Sequence, residues 1–173
     1  LQQLNQQQAG GFAPAAVIAI QRGPAASIVA SNALPSGFIQ TLDPADIANL
    51  SVAQVAAVAA NDVAALNGDQ AAALTASQIT ALGANVASLG AGPLEGLSDA
   101  QIAGIADIGA LRPWQMNWFS TDQIAALTSS QLSSLTGDQA ASLSTDKIAV
   151  IADVSALSVP AFEALGASQI AAL

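Results

Sequence analysis

The chain has 173 residues, a formal net charge of −9 and only three basic residues, Arg22, Arg112 and Lys147. So few cations argue against nucleic acid, because binding along a phosphate backbone needs several Lys or Arg to release counterions, and against an anionic membrane surface. With no His and no Cys, these residues build neither the usual zinc sites nor a His-dependent nucleophilic triad.

The first eight residues, LQQLNQQQ, form a polar stretch ended by Gly10 and Gly11. Two related segments follow, APAAVIAI from Ala13 and GPAASIVA from Gly23. Pro14 and Pro24 suit a first helical turn, where the missing N–H is no loss, and predict two short helices. A loop around Asn32, Pro35 and Gly37 leads to Asp43 and Pro44, the cap and first turn of a helix through Leu50. Residues 1–40 thus read as an irregular N-terminal end, and 41–173 as one repeat array. The start at Leu1 without Met, with no basic residue before the first apolar segment, suggests a processed product or a piece of a longer protein.

From Ser51 the chain falls into octads: SVAQVAAV, AANDVAAL, NGDQAAAL and TASQITAL, then a seven-residue GANVASL and the Gly-rich GAGPLEGL. Ser98 restarts the series with SDAQIAGI, a six-residue ADIGAL and RPWQMNWF. Four gapless octads run from Ser120 to Ile151: STDQIAAL, TSSQLSSL, TGDQAASL and STDKIAVI. ADVSAL, SVPAFEAL and GASQIAAL complete the chain. Aligning Ser98 with Ser144 matches ADIGAL to ADVSAL at an offset of 46 residues, so a longer period overlies the octads. About six short helices are expected to make one turn or layer, with the six-residue units at its corners. The close on a full-strength octad suggests that the array continues or docks on another subunit.

The octad has a mechanism. Ser98, Ser120, Thr128, Thr136 and Ser144 can accept a hydrogen bond from the N–H three residues on, while Gln101, Gln123, Gln131 and Gln139 can reach back to the cap's own N–H. Asp99, Asp122, Asp138 and Asp146 fall in first turns, where negative charge suits the helix macrodipole. The apolar pair at positions five and eight, such as Ile124 with Leu127, shares one helical face. One continuous helix is excluded, because eight residues advance the apolar face by about 80° per unit and the stripe would wind around the rod. A hydrophobic content of 53%, mostly Ala and Leu with two Trp, four Phe and no Tyr, gives a thin, distributed core. No octad can bury enough to fold alone, so units must stack. The predicted fold is all-α: a solenoid of very short helices. No run of eighteen apolar residues offers a membrane span.

Candidate sites are few. In RPWQMNWF, Trp114 and Trp118 are spaced i, i+4 and, with Arg112, form the candidate interaction patch, read either as a hot spot or sugar-stacking platform or, preferred, as bulk filling a corner of the superhelix. Calcium would need a D-x-D-x-D-G loop or a G-G-x-G-x-D repeat, and neither is present. Glu95 and Asp99 are explained by capping and solvation rather than as a carboxylate pair for glycoside chemistry. GAGPLEGL has no G-K-[ST] and no preceding strand, so it is no phosphate loop; it is expected to be a joint between rounds of the array. No catalytic residue, metal or cofactor is expected.

Units such as STDQIAAL, TASQITAL and GASQIAAL resemble the short Ala/Leu-rich [ST]-x-x-Q-[IV]-A-A-L repeats of very large exported bacterial proteins, including surface adhesins. LSVAQVAAVAAN from Leu50 is similar to the opening of the transcription-activator-like DNA-binding repeat, but the basic residues of that family are missing, and shared capping chemistry explains the echo. The first resemblance implies an extracellular or cell-surface structural part: a segment of a fibre, surface layer or adhesin stalk. The expected partner is a homo-oligomer or continuation of the same array. The alternative is a non-catalytic module that binds a peptide or glycan on the solenoid face and at Trp114 and Trp118.

Overall fold

The computed structural model describes residues 34–173. The two Pro-led helices expected from Ala13 and Gly23 lie outside the described residues. From Pro44 onward nearly every octad becomes a short helix broken at the next cap, as the recurring Ser, Thr and Asn predict.

The stack has three sides. On side one, α1 (Pro44–Ala48), α4 (Gly68–Ala72), α6 (Ala91–Glu95), the 3-10 helix η4 (Pro113–Trp118), α10 (Gly137–Ser142) and α12 (Val159–Glu163) lie one upon another. Side two comprises α2 (Val52–Ala56), α5 (Ala76–Leu82), α7 (Asp99–Ala103), α8 (Thr121–Ala125), α11 (Thr145–Ala149) and α13 (Ala167–Ile170). Side three is built from α3 (Ala60–Ala64), η2 (Gly83–Ser88), η3 (Ile108–Ala110), α9 (Ser129–Ser134) and η5 (Val154–Ala156). A first 3-10 helix, η1 (Ile39–Thr41), precedes α1. Phe38, Ile39 and Leu42 already belong to the common core.

Successive helices on one side are 22 to 24 residues apart, as in the series Gln54, Gln78, Gln101 and Gln123 on side two. One turn is therefore three units, and the 46-residue period covers two turns rather than one layer of six. The six-residue units ADIGAL and ADVSAL are not corners. They are the 3-10 segments of side three, η3 and η5, two turns apart and separated by α9. A 3-10 helix rises faster per residue than an α-helix, so a six-residue unit can still cross one side of the prism.

The apolar pair of every unit from Ser51 to Ile151 points inward. Ile102, Met116, Ile124 and Ile148 are among the largest fully buried side chains. The outward positions are mostly Ala, Ser, Thr and Asp, and the small residues let turns approach closely. At Gly104 a Cβ would stand 2.8 Å from the Ala76 carbonyl oxygen of the turn below, so no larger residue fits without spreading α7 from α5. Gly83, with φ of 52°, makes the sharp passage from α5 into η2.

GAGPLEGL is a regular side of the stack rather than a joint, with α6 packed between α4 and η4. Its Pro93 is buried at the position that carries Gln in most units. None of the described helices is long and apolar enough to cross a membrane.

Candidate functional site

A helix of five residues leaves most of its backbone polar groups without an intrahelical partner, N–H at its start and C=O at its end. One side chain answers both needs here. At Thr136 the hydroxyl accepts from the Gln139 N–H (3.2 Å), and Gln139 Oε1 accepts from the Thr136 N–H (2.9 Å). The same two bonds are made by Ser120 with Gln123 (3.1 and 2.8 Å) and by Thr128 with Gln131 (3.2 and 2.9 Å). Ser98 donates both its N–H (2.8 Å) and its hydroxyl (2.9 Å) to Gln101 Oε1.

The amide nitrogen does the second task, which the octad pattern alone does not reveal. Gln139 Nε2 donates to the Ile108 and Leu111 carbonyls at 2.8 and 2.7 Å. These carbonyls belong to the first residue of η3 and to the residue that closes it, and η3 leads into η4 directly beneath α10. Gln131 does the same to Ile102 and Ile105 (2.7 and 2.9 Å), and Gln169 to Ala140 and Leu143 (3.0 and 2.7 Å). Gln101 reaches Ala71 and Leu74, and Gln123 reaches Leu94 and Leu97. Gln115 joins the series through Ala87 and Leu89, both at 3.1 Å. Each amide thus caps its own helix and is tied to a corner of the turn below. Every one of these Gln side chains is buried, Gln139 completely. A buried polar group with no partner would be costly, and among the described residues no buried side-chain polar atom lacks one.

Ser144 departs from the expectation. Its side chain makes no cap hydrogen bond, and the residue three along is Lys147, whose ammonium has no acceptor for the Ser144 N–H. Lys147 keeps the other task and donates through Nζ to the Asn117 (2.8 Å) and Met116 (3.2 Å) carbonyls of the turn below. Desolvation in this position lowers the Lys147 pKa from its ordinary value.

The Trp unit is split by the structure. Trp114 is 54% exposed, whereas Trp118 is half-buried and packs against the core. They do not form one platform, because Pro113–Trp118 is a 3-10 helix. At three residues per turn, positions i and i+4 are about 120° apart. Met116 and Phe119 fill the core positions as expected. The Arg112 guanidinium carbon lies 5.3 Å from the Trp114 ring centroid, and the Arg112 N–H donates to Gln115 Oε1 at 2.8 Å.

The aspartates stay at helix starts, and Asp99, Asp122 and Asp146 follow one another up side two, whereas Glu95 closes α6 and Glu163 closes α12 on side one. Among the described residues, no three His, Cys, Asp or Glu are grouped so as to hold a metal ion.

The ALTTAQ repeat matches residues 104–137, from the end of α7 to the start of α10. This supports a repeat-type protein, in agreement with the all-helical stack. No curated protein and no solved structure matches the chain.

Two outcomes follow. Gln139→Leu keeps the side-chain volume but removes the acceptor for Thr136 and both donors to η3. It is expected to cost about 2–4 kcal/mol in denaturant unfolding, and a change below about 0.5 kcal/mol would mean that water serves the corner equally well. For Lys147 the native state prefers the neutral amine more than the unfolded chain does. Between the lowered native pKa and the unfolded value of about 10.4, the unfolded state binds more protons, so stability rises with pH across that window. The rise should be absent from Lys147→Gln, measured by unfolding between neutral pH and the Lys range; an identical slope in the variant would assign the effect elsewhere.

Proposed function

We propose that this chain is a structural repeat segment of an extracellular fibre, surface layer or adhesin stalk, assembling by repeat stacking and subunit contacts. The observation that carries this reading is the amide ladder from Gln70 to Gln169, renewed at each turn by the same chemistry. Such a stack converts sequence into length: every added turn extends the rod by about 8–10 Å, the usual distance between packed helices. Its surface is mostly small and polar, and its aspartates serve helix starts. The exported setting rests on the likeness of the octads to the repeats of large bacterial surface proteins, and the ALTTAQ repeat match supports the repeat character alone.

Negative-stain electron microscopy of the native material beside the purified chain tests the proposal. Filaments or sheets with a regular axial repeat are expected in the native material. Discrete short particles in both samples would set the structural reading aside in favour of a binding module.

That second reading draws on one observation, the exposure of Trp114 beneath the Arg112 guanidinium. An aromatic ring with an open face can stack on a sugar or a peptide side chain. Acrylamide is expected to quench Trp114 readily and Trp118 weakly. A peptide or glycan held at this patch would shield the Trp114 component, and unchanged quenching across a panel of both would remove the reading.

A further inference from the structure

Two residues of one unit break the octad rule in the middle of side one. Among the described units that carry Gln at position four, position one is otherwise Ser, Thr, Asn or Gly; here it is Arg112. A guanidinium has no acceptor to offer the Gln115 N–H, so the side-chain cap is given up. Position three in the other turns of side one is Ala45, Asp69, Gly92, Asp138 and Pro160. Here it is Trp114, with 54% of its surface in water. Neither change helps the stack. Local rules are broken in this way where a surface has a second task.

The charges single out the same place. The described residues hold two cations, and their uses differ. Lys147 spends its ammonium on the Met116 and Asn117 carbonyls. Arg112 is exposed, its guanidinium carbon lies 5.3 Å from the Trp114 ring centroid, and its side chain makes no hydrogen bond or ion pair with any described residue. In a chain of net charge −9, a cation without a carboxylate partner is held on an aromatic face. Stacking orients a guanidinium and leaves its planar fork of N–H donors free at the edge, the shape that takes a carboxylate through two parallel bonds.

The neighbours narrow the class of ligand. Below Trp114 in the column is Gly92, where a Cβ would meet nothing within 4 Å, so the space beside the indole is open. Above it is Asp138 on α10, about 8–10 Å away by the usual spacing of packed helices. A bound peptide needs a strand edge or a row of apolar pockets. The described residues contain no strand, and Gly92 and Asp138 build no apolar wall. A sugar ring needs only a flat aromatic for its C–H face and polar groups for its hydroxyls. A polyanion would meet the aspartates of the neighbouring turns, whereas one carboxylate touches Arg112 and is largely screened from charges beyond about 8 Å at physiological salt.

We propose that Arg112 and Trp114 form a binding site for a glycan bearing a single carboxylate sugar, its ring stacked on the indole and its carboxylate in the guanidinium fork. The inference rests on the binding-module reading above and names its ligand.

The test is calorimetric titration of the full chain with a neutral oligosaccharide ending in one glucuronic acid, and with the same oligosaccharide ending in glucose. A peptide carrying one glutamate among leucines is the third probe. Arg112→Gln and Trp114→Ser are the variants; both side chains are exposed, and retained helical circular dichroism shows that the stack is intact. The acidic oligosaccharide is expected to bind about tenfold or more tightly than the neutral one, to fall to the neutral level in Arg112→Gln, and to lose binding in Trp114→Ser. Equal binding of the two sugars, or acidic binding unchanged in Arg112→Gln, would overturn the carboxylate class and leave the binding module standing. Binding of the peptide alone would overturn the proposal in favour of a protein partner. If none of the three probes bound the wild type, both the proposal and the binding-module reading would fall.

Discussion

The fold depends on a side-chain amide with two ends of opposite character. Very short helices have a high proportion of unsatisfied backbone groups, donors at one end and acceptors at the other. A glutamine at the third helical position has an acceptor and a donor about one amide apart, so it can serve the start of its own helix and the end of another. The three-sided winding brings those two places together at each corner, as Gln139 shows with Thr136 behind it and Ile108 and Leu111 beneath it. Burial is tolerated because the amide is satisfied on both sides.

Departures from the consensus indicate which task each atom performs. Lys147 retains the tie to the lower turn through Asn117 and loses the cap, because an ammonium donates and cannot accept. Pro93 is buried and offers neither. Elsewhere other side chains supply the tie: Asn85 Nδ2 reaches the Val58 carbonyl at 3.1 Å, and the Ser158 hydroxyl reaches Leu135 at 3.2 Å. The corner carbonyls are the constant demand, and the residue that meets it varies. Small residues are equally constrained where turns touch. Gly104 gives up helix propensity to let its backbone approach Ala76.

Each turn makes its contacts with the turns next to it, so stability accumulates by neighbours rather than around a centre. Such an architecture suits a protein whose product is extent and regular spacing. It also explains why chemistry is sparse: the polar residues of the octad are engaged in capping and stacking, and the aspartates sit where the helix dipole favours them.

Much of this was legible in the octads. The caps, the inward apolar pairs and the breaks between helices follow from local hydrogen bonding and from the incompatibility of an eight-residue repeat with one straight helix. The candidate patch was legible only in part: the sequence marks Arg112, Trp114 and Trp118 as unusual, but a spacing of four joins them on one face only if the segment is α-helical, and it is 3-10. What the sequence by itself determined is the unit, because a cap, its Gln and an apolar pair interact within eight residues. The number of sides per turn, the reading of 46 residues as two turns, and the second bond of each glutamine were decided only by the tertiary structure. Those depend on which carbonyl lies beneath each amide, 26 to 31 residues earlier in the chain, and no local pattern of side chains encodes that distance.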